Sequence, residues 1–222
     1  MEKKFHLEVL PKQEREVFQK IAPVVNPHGL VLAGGTAAAL HMGHRISRDF
    51  DFFAPQSFSA EKLIQNLKTL GLKMDIEFQR GESDLIAFLD GVKFSAFHYP
   101  YPFLKPTDSV MKITMANLLD IAAMKILAIG QRGAKRDFVD LYFILKKFSC
   151  SQIGQAFSER YGKERLNPVF VGKSLIYFAD AEGDGEPEYC SQAKPSWPSI
   201  KKFFQAHARQ FVLDFEAAAN EE

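Results

Sequence analysis

A short apolar run, Leu30-Val31-Leu32-Ala33, stops at Gly34-Gly35, and after a gap of 13 residues Asp49-Phe50-Asp51 opens an alternating segment. The run predicts a buried strand, the glycines a tight turn, and Thr36 to Met42 a short Ala-rich helix that Gly43 stops. Two glycines after a strand let the backbone approach a bulky ligand. A helix starting there offers free N–H groups and its positive dipole end to phosphate, and Thr36 adds a hydroxyl. On a strand Asp49 and Asp51 share one face, about 7 Å apart, while Phe50 and Phe52 face the core. Such a carboxylate pair beside a phosphate cradle suits Mg²⁺ (or Mn²⁺) held together with a triphosphate. A glycine pair alone is usually only a turn, and Asp-x-Asp alone is usually a solvated face. Their conjunction at this spacing carries the reading.

Composition bounds the rest. The 222 residues are 46% hydrophobic and 25% charged, so the chain as a whole is not disordered. No apolar run reaches the roughly 18 residues that span a bilayer, and Met1 to His6 lacks an apolar signal core. A soluble cytoplasmic protein with no membrane partner is expected. Cys150 and Cys190 alone make neither a disulfide framework nor a zinc site. Lys and Arg total 28 against 27 Asp and Glu. That balance excludes a polycationic coat but not local basic patches.

Helical spacing predicts a helix over 11–25, then a turn at Asn26-Pro27-His28-Gly29. Ser59 should cap a helix at 60–70. Strands are predicted at 49–53, 72–79, 84–89 and 92–99, with Asp90-Gly91 a hairpin turn and 99–113 irregular. Helices follow at 114–129, 135–147, 150–160, 168–179 and 198–217, with an acidic loop at 181–196. The expected fold class is α+β: a mixed or antiparallel sheet with flanking helices over 1–108, followed by a helical C-terminal half, 109–222, closing the cleft.

The helical half holds a second cluster. Lys125 lies at the edge of the stripe of Leu118, Ala122 and Ile129, where its stem can pack and its ammonium clamp phosphate, or simply flank the core. Arg132, Lys135 and Arg136 form a basic knot around Gly133, for phosphate or RNA contact or as a solvated loop. From Lys125 to Arg136 there are four basic residues and no acids. Asp137 and Asp140 share a helix face. Asp137 can complement the helix dipole, orient Lys125 or Arg132, or act as a base. Arg45 and Arg48 bracket the aspartates, where they can pair with Asp49 or Asp51 or bind phosphate.

Gly34-Gly35, the gap, and Asp49-Phe50-Asp51 resemble the nucleotidyltransferase superfamily signature. The fuller text from Leu32 to Leu40 and from Gly43 to Phe53 is similar to the AbiEii/AbiGii toxin family, bacterial proteins that include toxins of type IV toxin–antitoxin systems. Asp120 to Lys125 and Arg132 to Tyr142 are similar to that family's downstream motifs. The resemblance implies a nucleotidyltransferase fold and transfer of a nucleoside monophosphate from an NTP to an RNA (tRNA) end or a protein, with a cognate antitoxin as partner. It implies Asp49, Asp51, Lys125 and Asp137 as catalytic residues, with Asp49 and Asp51 on the metal. Gly34, Gly35, Thr36, Arg45, Ser47, Arg48, Arg132 and Lys135 are then the nucleotide contacts.

Active members of that superfamily commonly carry a third carboxylate on a later strand. Here the strand 92–99 has none, and Ser95 stands at the plausible place. Either an acid such as Asp137 substitutes, or the chain is a silent nucleotide-binding or partner-binding module of the same fold. A third reading is an RNA-binding partner acting through the basic knot.

Overall fold

The computed structural model describes residues 4–104, 106–165, 167–190 and 194–220. Met1 to Lys3, and residues 191–193 of the predicted acidic loop, lie outside them. The fold is α+β and divides into two compact units, Met1–Asn117 and Leu118–Glu222. Among the described residues no helix is long and apolar enough to cross a membrane.

The first unit is built on a seven-stranded mixed sheet. Its strands are β1 (Val31–Ala33), β2 (Phe50–Ala54), β3 (Met74–Arg80), β4 (Asp84–Leu89), β5 (Val92–His98), β6 (Asp108–Val110) and β7 (Ile113–Met115), in the order β3-β4-β5-β2-β1-β7-β6. β1 runs antiparallel to β2, and β2 parallel to β5. Helices α1 (Lys12–Val25), α2 (Gly34–Met42) and α3 (Ala60–Lys68) complete the unit. The predicted N-cap holds: Ser59 Oγ accepts from Lys62 N at 3.2 Å. Val17, Phe18 and Ile21 of α1 are buried, and Phe18 meets Phe50 at 5.2 Å between ring centroids. Each fully buried Phe contributes about 1.5–3 kcal/mol of apolar transfer.

The predicted hairpin forms at Asp90 (φ 49°) and Gly91 (φ 83°), a two-residue turn whose left-handed residues match the strand twist. A second such turn, Met111 (φ 49°) and Lys112 (φ 67°), joins β6 to β7. No glycine announces it, and the stretch to 113 reads as irregular in the sequence. Asn26 supplies what the turn sequence lacks: its Nδ2 donates to Lys112 O at 2.6 Å and its Oδ1 accepts from Thr114 N at 3.1 Å. Met115, expected on a helix, therefore lies in β7 in register with Leu32.

The second unit is helical: α4 (Leu118–Gln131), α5 (Lys135–Ile144), α6 (Cys150–Tyr161), α7 (Pro168–Ser174), α8 (Ala179–Glu182) and α9 (Trp197–Asn220). Ser149 and Gln152 cap α6 reciprocally. A Cβ on Gly154 would lie 2.6 Å from Phe215, so the α6–α9 crossing is closed by a residue without a side chain. Asp120 of α4 and Arg160 of α6 form a wholly buried ion pair. Desolvation offsets much of such a pair's attraction, whereas removing either partner would leave a buried charge uncompensated.

Candidate nucleotide site

In the first unit, β2 alternates buried and half-exposed residues. Phe50 and Phe52 face the core, and Asp49, Asp51 and Phe53 share the opposite face. Asp51 lies at the centre of the sheet, registered with Ala33 of β1 on one side and Ser95 of β5 on the other. The residue after Ala33 is Gly34, in left-handed backbone at φ 65°. A Cβ there would lie 3.2 Å from Asp51 Oδ2. Glycine thus serves both the turn and the close approach of backbone to carboxylate.

Thr36, in the first turn of α2, is buried, and its hydroxyl donates to the backbone carbonyl of Asp49. With that proton committed, the 2.7 Å bond between Thr36 Oγ1 and Ser47 Oγ has Ser47 as donor. Thr36 and Ser47 therefore tie the start of α2 to the entry of β2, fixing the glycine turn against the aspartate strand. The first-turn N–H groups of α2 are what this turn can offer an anion. Arg48 Nη1 lies 3.3 Å from Glu14 Oε1, and Arg45 Nη1 donates to Ile46 O at 3.1 Å. Glu14 is missed by a reading for chemistry, although its spacing to Val17, Phe18 and Ile21 places it on the buried stripe of α1.

Among the described residues no group of three or more His, Cys, Asp or Glu forms a ready metal shell. Two carboxylates on one strand face, beside a backbone turn kept open by glycine, fit a hard divalent ion that completes its shell with substrate oxygens. Ser95, buried opposite Asp51, supplies no carboxylate. The apolar groove lined by Ala22, Pro23, Pro27 and Met111 carries one ionisable group, Lys112, and offers no comparable chemistry.

The second unit gathers Lys125, Arg132, Asp137 and Asp140. Lys125 Nζ lies 2.7 Å from Asp137 Oδ1 and 2.7 Å from Asp140 Oδ2, with both aspartate side chains fully buried. Arg132 Nε reaches Asp137 Oδ2 at 3.1 Å while the arginine side chain stays 59% exposed. Burial raises the Asp137 carboxyl, but Lys125 and then Arg132 outweigh it and hold it below the usual carboxylate range. Lys135 stands apart from this cluster. Its N donates to Asp184 Oδ2 at 2.8 Å, and its Nζ donates to Asp184 O at 2.6 Å and meets Glu186 at 3.2 Å. Nothing in the sequence around Asp184 and Glu186 signals that link.

The family model described as nucleotidyl transferase AbiEii toxin, type IV TA system, matches residues 17–102 and 72–220. An uncharacterised protein of Aquifex aeolicus is 34% identical over 212 residues, covering 91% of this chain and 98% of that protein. Two solved structures share the fold. A candidate nucleotidyltransferase from H. pylori superposes with a TM-score of 0.60 at 17% identity, over 93% of this chain and 98% of the other. JHP933 from Helicobacter pylori gives 0.58 at 16%, over 94% and 95%.

Proposed function

The chain belongs to the AbiEii family of nucleotidyltransferase toxins of type IV toxin–antitoxin systems, and from that membership we propose that it transfers a nucleoside monophosphate from an NTP to an acceptor hydroxyl on an RNA end or a protein in the cytoplasm. The observation that carries the reading is the approach of the Gly34 turn to Asp51, which sets a backbone anion cradle against a carboxylate.

Asp49 and Asp51 are the residues that would hold Mg²⁺ or Mn²⁺. That ion, when bound, supplies charge neutralisation to the triphosphate. The chain's own groups bind and orient. The backbone at Gly34, Gly35 and Thr36 receives phosphate oxygens, and Thr36 and Ser47 keep that backbone in place. In the second unit Asp137 and Asp140 position Lys125, and Arg132 adds a partly exposed cation to that cluster. Arg45 and Arg48 order the segment that enters β2 through Ile46 and Glu14, while Lys135 is held within the second unit by Asp184 and Glu186. The acceptor oxygen bonds to the α-phosphorus as the α–β bridging P–O bond breaks. Pyrophosphate leaves with the electron pair, and the hydroxyl proton passes to a base or to water. Positioning and electrostatics carry the rate.

Ser95 opposite Asp51 favours one second reading, a nucleotide-binding module without transfer. Calorimetry separates these from an unrelated role. Wild type should bind NTP in the presence of Mg²⁺, and Asp49→Ala with Asp51→Ala should abolish that binding. Equal binding by both proteins refutes both readings. A cognate antitoxin is the expected partner, and co-expression should relieve growth inhibition.

A further inference from the structure

Beyond Asp51 the same face of the sheet changes from acidic to aromatic. Phe53 follows Asp51 by one two-residue step on β2, and Phe97 follows Ser95 by the same step on β5. Phe53 and Phe97 are in register with ring centroids 6.0 Å apart. Tyr99 meets Phe53 edge-on at 5.4 Å, and Tyr101 meets Tyr99 at 4.9 Å. Tyr99 N donates to Ala54 O at 2.8 Å, which fastens the row to the end of β2. All four rings are half-buried, whereas the core rings Phe50, Phe52 and Phe94 lie on the other face and are fully buried. Edge-to-face packing holds Phe53, Tyr99 and Tyr101, and Phe97 meets Phe53 at a tilt of 42°, so the rings are ordered before a planar group arrives.

The position of the row identifies its occupant. Asp51 is registered with Ala33, next to the glycine turn, and Phe53 with Val31, two residues farther from it. Asp51 therefore separates the turn from the rings. In an in-line displacement the nucleophile enters opposite the leaving group. With pyrophosphate leaving on the turn side, the attacking hydroxyl arrives from the side of the rings. Arg80, exposed on β3, is registered with Asp84, which is itself registered with Phe97. It offers a cation to a backbone running past the row. A line of rings flanked by a cation is the usual surface for successive bases of a single strand.

We propose that Phe53, Phe97, Tyr99 and Tyr101 form a stacking platform for the terminal bases of a single-stranded RNA acceptor, delivering its ribose hydroxyl toward Asp51. The proposal rests on the nucleotidyl-transfer reading.

The test measures two affinities separately, using a short fluorescein-labelled single-stranded RNA by anisotropy and NTP with Mg²⁺ by calorimetry. Phe53→Leu and Tyr99→Leu keep apolar bulk and remove a ring. Each should weaken RNA binding by roughly 5- to 150-fold and leave NTP affinity unchanged. Tyr99→Phe should bind RNA like wild type, because stacking uses the ring face. If Phe53→Leu fails to fold, Tyr99→Leu, outside the strands, carries the test. Unchanged RNA affinity in the leucine variants overturns the platform. Loss of NTP affinity instead of RNA affinity overturns it too, and places the nucleotide's own base on the rings. Wild type that binds NTP but no RNA refutes the platform alone, and wild type that binds neither refutes the underlying reading as well.

Discussion

Gly34 stands against Asp51 so closely that a methyl group on the glycine would sit 3.2 Å from the carboxylate oxygen. Its backbone is also left-handed. Gly34→Ala should therefore lose about 1–2 kcal/mol of stability from the strained φ and displace Asp51. The expected result is at least a tenfold loss of transfer with a modestly lowered melting temperature. Wild-type turnover in this variant would show that the approach is incidental.

The Thr36 hydroxyl is expected to act through Asp49 and Ser47, leaving direct contact with the ligand to the backbone. Thr36→Val keeps the shape but leaves the Asp49 carbonyl and the Ser47 hydroxyl without their buried partner. Urea titration should show a loss of about 1–3 kcal/mol, and Thr36→Ser should restore it. Equal stability of the valine and serine variants would contradict the tie.

The glycine turn, the two-aspartate strand and the hairpin at Asp90-Gly91 are legible in the sequence because each has a local cause: a backbone angle, a two-residue alternation, a turn type. The β6–β7 hairpin is not, because Asn26 stabilises its glycine-free turn from far away in the chain. Lys135 shows the same limit. Its place in a basic run reads as phosphate contact, yet its partners Asp184 and Glu186 come from a distant loop. The face shared by Phe53, Phe97 and Tyr99 depends on β2 pairing in parallel with β5, which no local pattern announces.

The Lys125–Asp137–Arg132 cluster should give the protein an acid-sensitive component of stability. Asp137 is held below the usual carboxylate range, so the native state binds fewer protons than the unfolded chain as pH falls past about 4. The stabilisation is fully present above that pH and is lost as pH drops through the native value. Asp137→Asn should cost about 3–5 kcal/mol near neutrality and flatten the acid limb of the stability profile. A parallel profile for the variant would dismiss the linkage.

The two thiols should differ in reactivity. Burial, then the negative charge of Asp214, pushes the Cys150 thiol up to about 12, whereas Cys190 is exposed. Only the thiolate reacts, so iodoacetamide at pH 8 should label Cys190 well before Cys150 by peptide mass spectrometry. Equal rates would mean that the first turn of α6 opens readily.

The carboxylate pair on β2 is expected to support nucleotidyl transfer. Incubating the protein with each α-³²P-labelled NTP, Mg²⁺ and total RNA or cell lysate, beside the Asp49→Ala, Asp51→Ala variant, measures that transfer. Label is expected in an RNA or protein band with wild type and in none with the variant. The same labelling by both proteins, or no labelling by wild type with any NTP, would contradict it.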